Sequence, residues 1–89
     1  MANYRDIDEL LLTTNKGSFE AGPDPGDGVV VSFVGRGVRE ILVHYVDRAS
    51  RVCRGETRDT VFGGDGTQLL DKADYVQFSI SKIAGINRR

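Results

Sequence analysis

The residues best equipped for chemistry are the single histidine, His44, and the single cysteine, Cys53. A thiol beside an imidazole would make a nucleophile and its base. The spacing defeats that pairing. The nine positions from 44 to 53 are about 180° on a helix, and they place the two side chains on opposite faces of a strand. Cys53 also lies in an apolar stripe, where a free thiol packs as a small core residue, and His44 is expected to be solvated. A zinc site needs three or four Cys, His or carboxylate ligands, which this pair does not supply.

Other chemistries are weaker still. "PDPGDG" at 23–28 and "GGDGTQL" at 63–69 mix aspartate with glycine, yet neither has the EF-hand spacing. The second resembles one calcium-binding nonapeptide repeat. Gln68 stands where that repeat has its aspartate ligand, and one copy cannot stack. Both stretches are expected to be turns. "VSFVGRGVRE" at 31–40 has the strand–glycine–helix layout of a phosphate-binding turn. Glu40 occupies the third glycine position and would repel an anion, so a tight βα connection is expected. Thirteen acids are present, but no spacing singles out a catalytic pair, and serine hydrolase motifs are absent. The chain is expected not to be an enzyme, to hold no cofactor or metal, and to bind no small-molecule substrate.

What remains is charge. Residues 1–34 set two basic against six acidic side chains, and residues 35–58 set six arginines against Glu40, Asp47 and Glu56. Residues 59–81 set Lys72 against four aspartates, and Lys82, Arg88 and Arg89 follow, for a net charge of −1. The sign alternates by blocks. Opposite blocks would pair within one molecule or between two.

The elements that position these groups come from periodicity. Asn3 caps a short N-terminal helix within 1–17, with Asp6, Asp8 and Glu9 in its first turn. Residues 18–28 form a loop that holds both prolines. "VVVSFV" at 29–34 is β-branched and, apart from Ser32, apolar on both faces, as a central strand covered on both sides is. In 38–54, Val38, Ile41, Leu42, Tyr45, Val46, Ala49, Val52 and Cys53 fall within an arc of roughly 140° on a helical wheel. A long helix ending at Gly55 is therefore expected. Its last turns would hold Arg48, Arg51 and Arg54 near the negative end of the dipole, and Asp47 and Arg51 would pair at i,i+4. Strands follow at 57–62 and 74–82. The stretch 66–72 reads equally as a helical turn or a hairpin arm, and 83–89 is a tail.

Eighty-nine residues make one domain, burying roughly 60–65% of the unfolded surface. The expected architecture is a small single α+β domain over 1–89, in the order α-β-α-β-β. One long amphipathic helix would pack on a three-stranded sheet. No apolar run approaches the roughly 18 residues of a membrane span. "MANYRDIDELLL" lacks the basic start of a signal peptide, and one cysteine suits a reducing compartment. The expected location is the cytoplasm or an intracellularly assembled particle.

The expected function is a non-catalytic protein-interaction or assembly module. It would be a small subunit of a larger complex or particle, of phage or viral type, or a small inhibitor. The partner would be another protein or a second copy, with no membrane involved. The alternative is a nucleic-acid-associated protein that binds phosphates through an arginine-rich helix, against which stands a pI near 5.7. Candidate contact residues are Arg36, Arg39, Arg48, Arg51, Arg54, Arg58, Ile83, Ile86, Arg88 and Arg89.

Overall fold

Val29, Val31 and Phe33 alternate with Val30 and Ser32, and all three are fully buried or nearly so. They lie on β2 (Gly28–Phe33), which is paired on both edges as a central strand is, although its other face, at Val30 and Ser32, is only half-buried where cover on both sides was expected. The computed structural model describes residues 3–13, 22–35, 37–62, 66, 68–71 and 73–87. Around β2 stand β1 (Arg5–Asp6), β3 (Gly37–Asp47), β4 (Val52–Thr57), β5 (Val61–Phe62), β6 (Gln68–Leu70), β7 (Tyr75–Ser79) and β8 (Ile83–Asn87). Two 3-10 turns, Asp8–Leu10 and Ile80–Lys82, complete the described elements.

This architecture corrects the α+β expectation. No described helix reaches seven residues, and the sheet has six strands of mixed direction where three were expected. The N-terminal helix is replaced by β1 and a three-residue 3-10 turn over its described part. The long helix over 38–54 is a hairpin, β3 followed by β4. Its helical spacing has a specific origin. Ile41 and Val43 face inward, a β-bulge at His44 inserts one residue, and inward packing resumes at Val46. A bulge shifts a period-2 pattern by one, so the inward Ile41, Val46 and Cys53 fall on the helical stripe, whereas Val43, which lies off it, is buried and Val38, Tyr45 and Ala49, which lie on it, are exposed. The turn between the strands contains neither glycine nor proline. Asp47 Oδ1 instead accepts the backbone N–H groups of Ala49 and Ser50, at 3.1 and 3.2 Å, and Arg51 takes φ of 58°. That is an Asx-type turn. Residues 68–70 pair with β5, so the undecided segment is a hairpin arm where described.

The sheet order is β1-β7-β4-β3-β2-β8, and it must roll. The turn Ile80–Lys82 alone links β7, second in the order, to β8, at the far edge. In a flat sheet those strands would lie about 19 Å apart at ~4.8 Å per spacing, whereas the steps from Ser79 to Ile83 advance about 8 Å in 3-10 geometry. Rolling leaves a seam between β7 and β2. β8 fills one end of it by pairing with β2 from Gly28 to Val31. The N-terminal segment fills the other. β1 pairs in parallel with Val76 and Gln77, and Leu11 bridges Phe33. The Leu12 N–H donates to the Ser32 carbonyl, and the Val34 N–H to the Leu10 carbonyl, each at 2.9 Å. Inside the roll lies one core, including Ile7, Phe33, Ile41, Val61, Val76, Phe78, Ile80 and Ile83.

β2 pairs antiparallel with β3 as far as Phe33 opposite Gly37, and Gly35 and Gly37 take positive φ of 72° and 80°. The described chain from Gly37 is strand β3, where a helix after a βα connection was expected. "PDPGDG" is turn chemistry, as expected: the Asp24 N–H donates to Asp27 Oδ2 at 2.9 Å, and the Gly26 N–H to the Val43 carbonyl at 2.9 Å.

Candidate protein-contact face

The bulge at His44 gives the outer surface of the sheet its chemistry. Val43 faces Gly55 and Tyr45 faces Arg54 across β3 and β4, with His44 the extra residue between them. His44 and Tyr45 consequently both point outward. One row of side chains crosses the sheet as Tyr45, Arg54 and Gln77, and the next as Leu42, Glu56 and Tyr75. Tyr4, just before β1, lies beside Tyr75, with ring centres 5.4 Å apart.

Two arrangements occupy this face. In the first, His44 Nε2 is 2.9 Å from Glu56 Oε1, and Nδ1 is 3.3 Å from the Tyr4 hydroxyl. An ionised carboxylate only accepts, so Nε2 carries the hydrogen that Glu56 takes. In the neutral ring Nδ1 then accepts from Tyr4. The Tyr75 ring meets the imidazole edge-on, with centres 5.6 Å apart. His44 is thus half-buried and doubly bonded, where solvation was expected.

In the second arrangement, the Arg54 guanidinium lies 5.7 Å from the centre of the Tyr4 ring and 5.8 Å from that of Tyr45. Its Nε–H donates to Gln77 Oε1 at 2.8 Å. Tyr45 and Tyr75 remain 49% and 43% exposed, so the cluster faces solvent and is not a core. Beside it, Leu42, Glu56, Thr57, Arg58 and Ala73 line an open hollow of about 240 Å³. That is below the roughly 300–1,000 Å³ of most small-molecule sites.

The other candidate arginines are held differently. Arg48 pairs with Asp24 at 2.9 Å, Arg58 Nε lies 3.6 Å from Glu40 Oε1, and Arg39 Nη1 donates to the Val38 carbonyl at 2.7 Å. Arg48 and Asp24 therefore join the basic block to the acidic one within one molecule, whereas Arg58 and Glu40 pair inside the basic block. Arg51 sits in the β3–β4 turn, and its carbonyl accepts from the Ile80 N–H. Ile83 is fully buried and Ile86 packs against the core, so the segment drawn as a tail is β8 as far as Asn87. Arg36, Arg88 and Arg89 lie outside the described residues.

Cys53 is buried beneath the sheet, on the side away from His44. Desolvation pushes its thiol up to about 12, partly opposed by the charge of Arg48. It is an inert thiol. Among the described residues, no group of three or more Cys, His, Asp or Glu is placed to hold a metal.

Of this face, Arg54 alone was among the sequence candidates. The tyrosines and His44 were missed because they converge from β3, β7 and the segment before β1. One signal was available: "HY" interrupts an apolar strand run with two consecutive polar-capable residues, as a bulge does. No family model, no curated protein and no solved structure matches this chain.

Proposed function

We propose that this domain is a non-catalytic protein-binding or assembly module, a small subunit of a larger complex, and that Tyr4, Tyr45, Arg54 and Tyr75 form its contact face. One observation carries this. Arg54 is exposed, yet two aromatic rings and an amide position it, and among the described residues no acid forms an ion pair with it, Asp47 acting only through its charge. Tyrosine and arginine are the side chains that most often dominate binding energy at protein interfaces. A stacked guanidinium loses less freedom on binding than a loose one. The shallow hollow beside the face supports a surface contact over a substrate cleft. The pairing of Arg48 with Asp24 and of Arg58 with Glu40 reduces the charge available to a nucleic acid.

The test compares the wild type with a Tyr45→Ala/Tyr75→Ala variant, both immobilised and exposed to extract from source cells, with solution mass from light scattering. The expected result is a discrete retained protein, or a mass above the 9.8 kDa monomer, that the variant loses. Two inert monomers, or identical retention by both, would sink the proposal.

A further inference from the structure

We infer that the group received by this face is the carboxylate of an aspartate or glutamate on a separate protein partner, taken by the two Nη groups of Arg54 beside Tyr4 and Tyr45. The inference rests on the protein-binding role proposed above.

Arg54 has five N–H donors in a planar fork. Nε–H is committed to Gln77, and no other hydrogen bond of Arg54 is made among the described residues. The Nη edge therefore retains its donors, on an exposed residue of the outer face. Two parallel Nη–H groups match the two oxygens of a carboxylate, the fork-to-fork geometry that makes arginine selective for planar anions. The two rings and the Gln77 amide hold the guanidinium before anything arrives, so little ordering is left to the encounter.

The surroundings choose among anions. Glu56 follows Arg54 by two residues on the same face of β4, and Asp47 lies near enough to feel the Arg54 charge. A carboxylate brings a single negative charge past these two acids. A phosphate monoester brings about 1.5 to 2, and a nucleic-acid strand brings one more with every residue. The tyrosine rings around the fork suit the aliphatic stem of a glutamate or an aromatic neighbour in the partner.

The experiment follows the Arg54 side-chain Nε–H and the tyrosine ring signals by NMR. A capped peptide holding a single glutamate, inorganic phosphate and a thymidine decamer are titrated separately at physiological salt. The expected result is a saturable shift with the single-glutamate peptide alone, weakened roughly tenfold in Arg54→Lys, which keeps the charge but loses the fork. Arg48→Lys should leave it unchanged. Equal weakening in both variants, or no shift at all, would overturn the assignment. Should Tyr45→Ala/Tyr75→Ala still abolish partner retention in that case, the contact face survives and only the carboxylate fails. Tighter binding of phosphate or the decamer would overturn the carboxylate, and loss of that binding in the double tyrosine variant would turn the face itself to nucleic acid. Concentration-dependent shifts without peptide, lost in a variant that neutralises the exposed N-terminal acids Asp6 and Glu9 (Asp6→Asn/Glu9→Gln), would replace the separate partner with a second copy.

Discussion

Asp8 and Ser79, 71 positions apart, are joined twice: the Ser79 backbone N–H donates to Asp8 Oδ1 at 2.6 Å, and the Ser79 hydroxyl donates to Asp8 Oδ2 at 2.5 Å. One carboxylate thereby locks the first 3-10 turn onto the end of β7, where the strand turns toward β8. Lys82 adds a second tie, donating to the Leu11 carbonyl at 3.3 Å and to the Thr13 hydroxyl at 2.8 Å. Hydrogen bonds to a charged group contribute about 1.5–3 kcal/mol. Asp8→Ala is therefore expected to cost about 2–3 kcal/mol in denaturant unfolding. Amide exchange should rise first at Ile7 and Leu12, whose N–H groups bond across the seam to Gln77 and Ser32. Ser79→Ala keeps the backbone donor and should cost about 1 kcal/mol.

Gly55 is required by close approach. It faces Val43 beside the bulge, and a Cβ on it would overlap the carbonyl oxygen of Leu42. Backbone cannot swing aside as a flexible side chain does. Gly55→Ala should cost at least the ~3 kcal/mol at the upper end of overpacking and disturb the resonances of His44 and Tyr45 before those of β8. An alanine variant as stable as wild type would show that the bulge tolerates a different path.

Asp47 sets an acid limit on the β3–β4 turn. Its carboxyl lies below the ordinary 3.8, chiefly because the Ser50 backbone N–H bonds to it; the Ser50 hydroxyl, the Ala49 N–H and the Arg54 charge act in the same direction. A depressed carboxylate contributes stability that is complete above its unfolded value and is lost as pH falls through the folded one. Asp47→Asn should therefore melt below wild type at neutral pH, with the gap narrowing beneath about pH 3.8. Thermal melts from pH 2 to pH 7 would show it, and a gap constant with pH would contradict it.

Cys53 is expected to resist thiol reagents at pH 8 while the protein is folded. Its reaction rate should track global unfolding, because the thiol is fully buried and its pKa is pushed up to about 12. In the unfolded chain it ionises near 9.0. Stability should therefore fall between about pH 9 and pH 12, a loss that Cys53→Ala removes. Rapid labelling under native conditions would refute this burial.

The strands that carry their own signals were legible. β2 is β-branched and begins at a glycine, and in β7 Val76 and Phe78 alternate with Tyr75, Gln77 and Ser79. The β3–β4 hairpin was hidden by two local devices that imitate a helix: a one-residue bulge at His44 and a turn closed by the Asp47 carboxylate in place of glycine. Both act below the resolution of a periodicity count. The arginines were visible as a charge block, but their partners were not. Arg48 finds Asp24 across 24 positions, and Arg54 finds Gln77 across 23. The β4–β7 pairing that sets the second contact is written in no local pattern. Tyr4 and Tyr75 meet only because β1 pairs with β7 in parallel.

The seam between β7 and β2 has a kinetic consequence. β2, β3 and β4 pair antiparallel in chain order as a local meander, and such hairpins form in about 1–10 μs. The second edge of β2 has to wait, because β8 joins it from more than fifty residues along the chain and Leu11 joins it from the N-terminal side. Loop-closure entropy precedes the gain from both contacts. Folding of this domain is therefore expected to be limited by sealing the roll, on the millisecond-to-second scale of high-contact-order β proteins. Substitutions at the Asp8–Ser79 tie should then act on folding and unfolding rates in proportion to how far the seam has closed in the transition state.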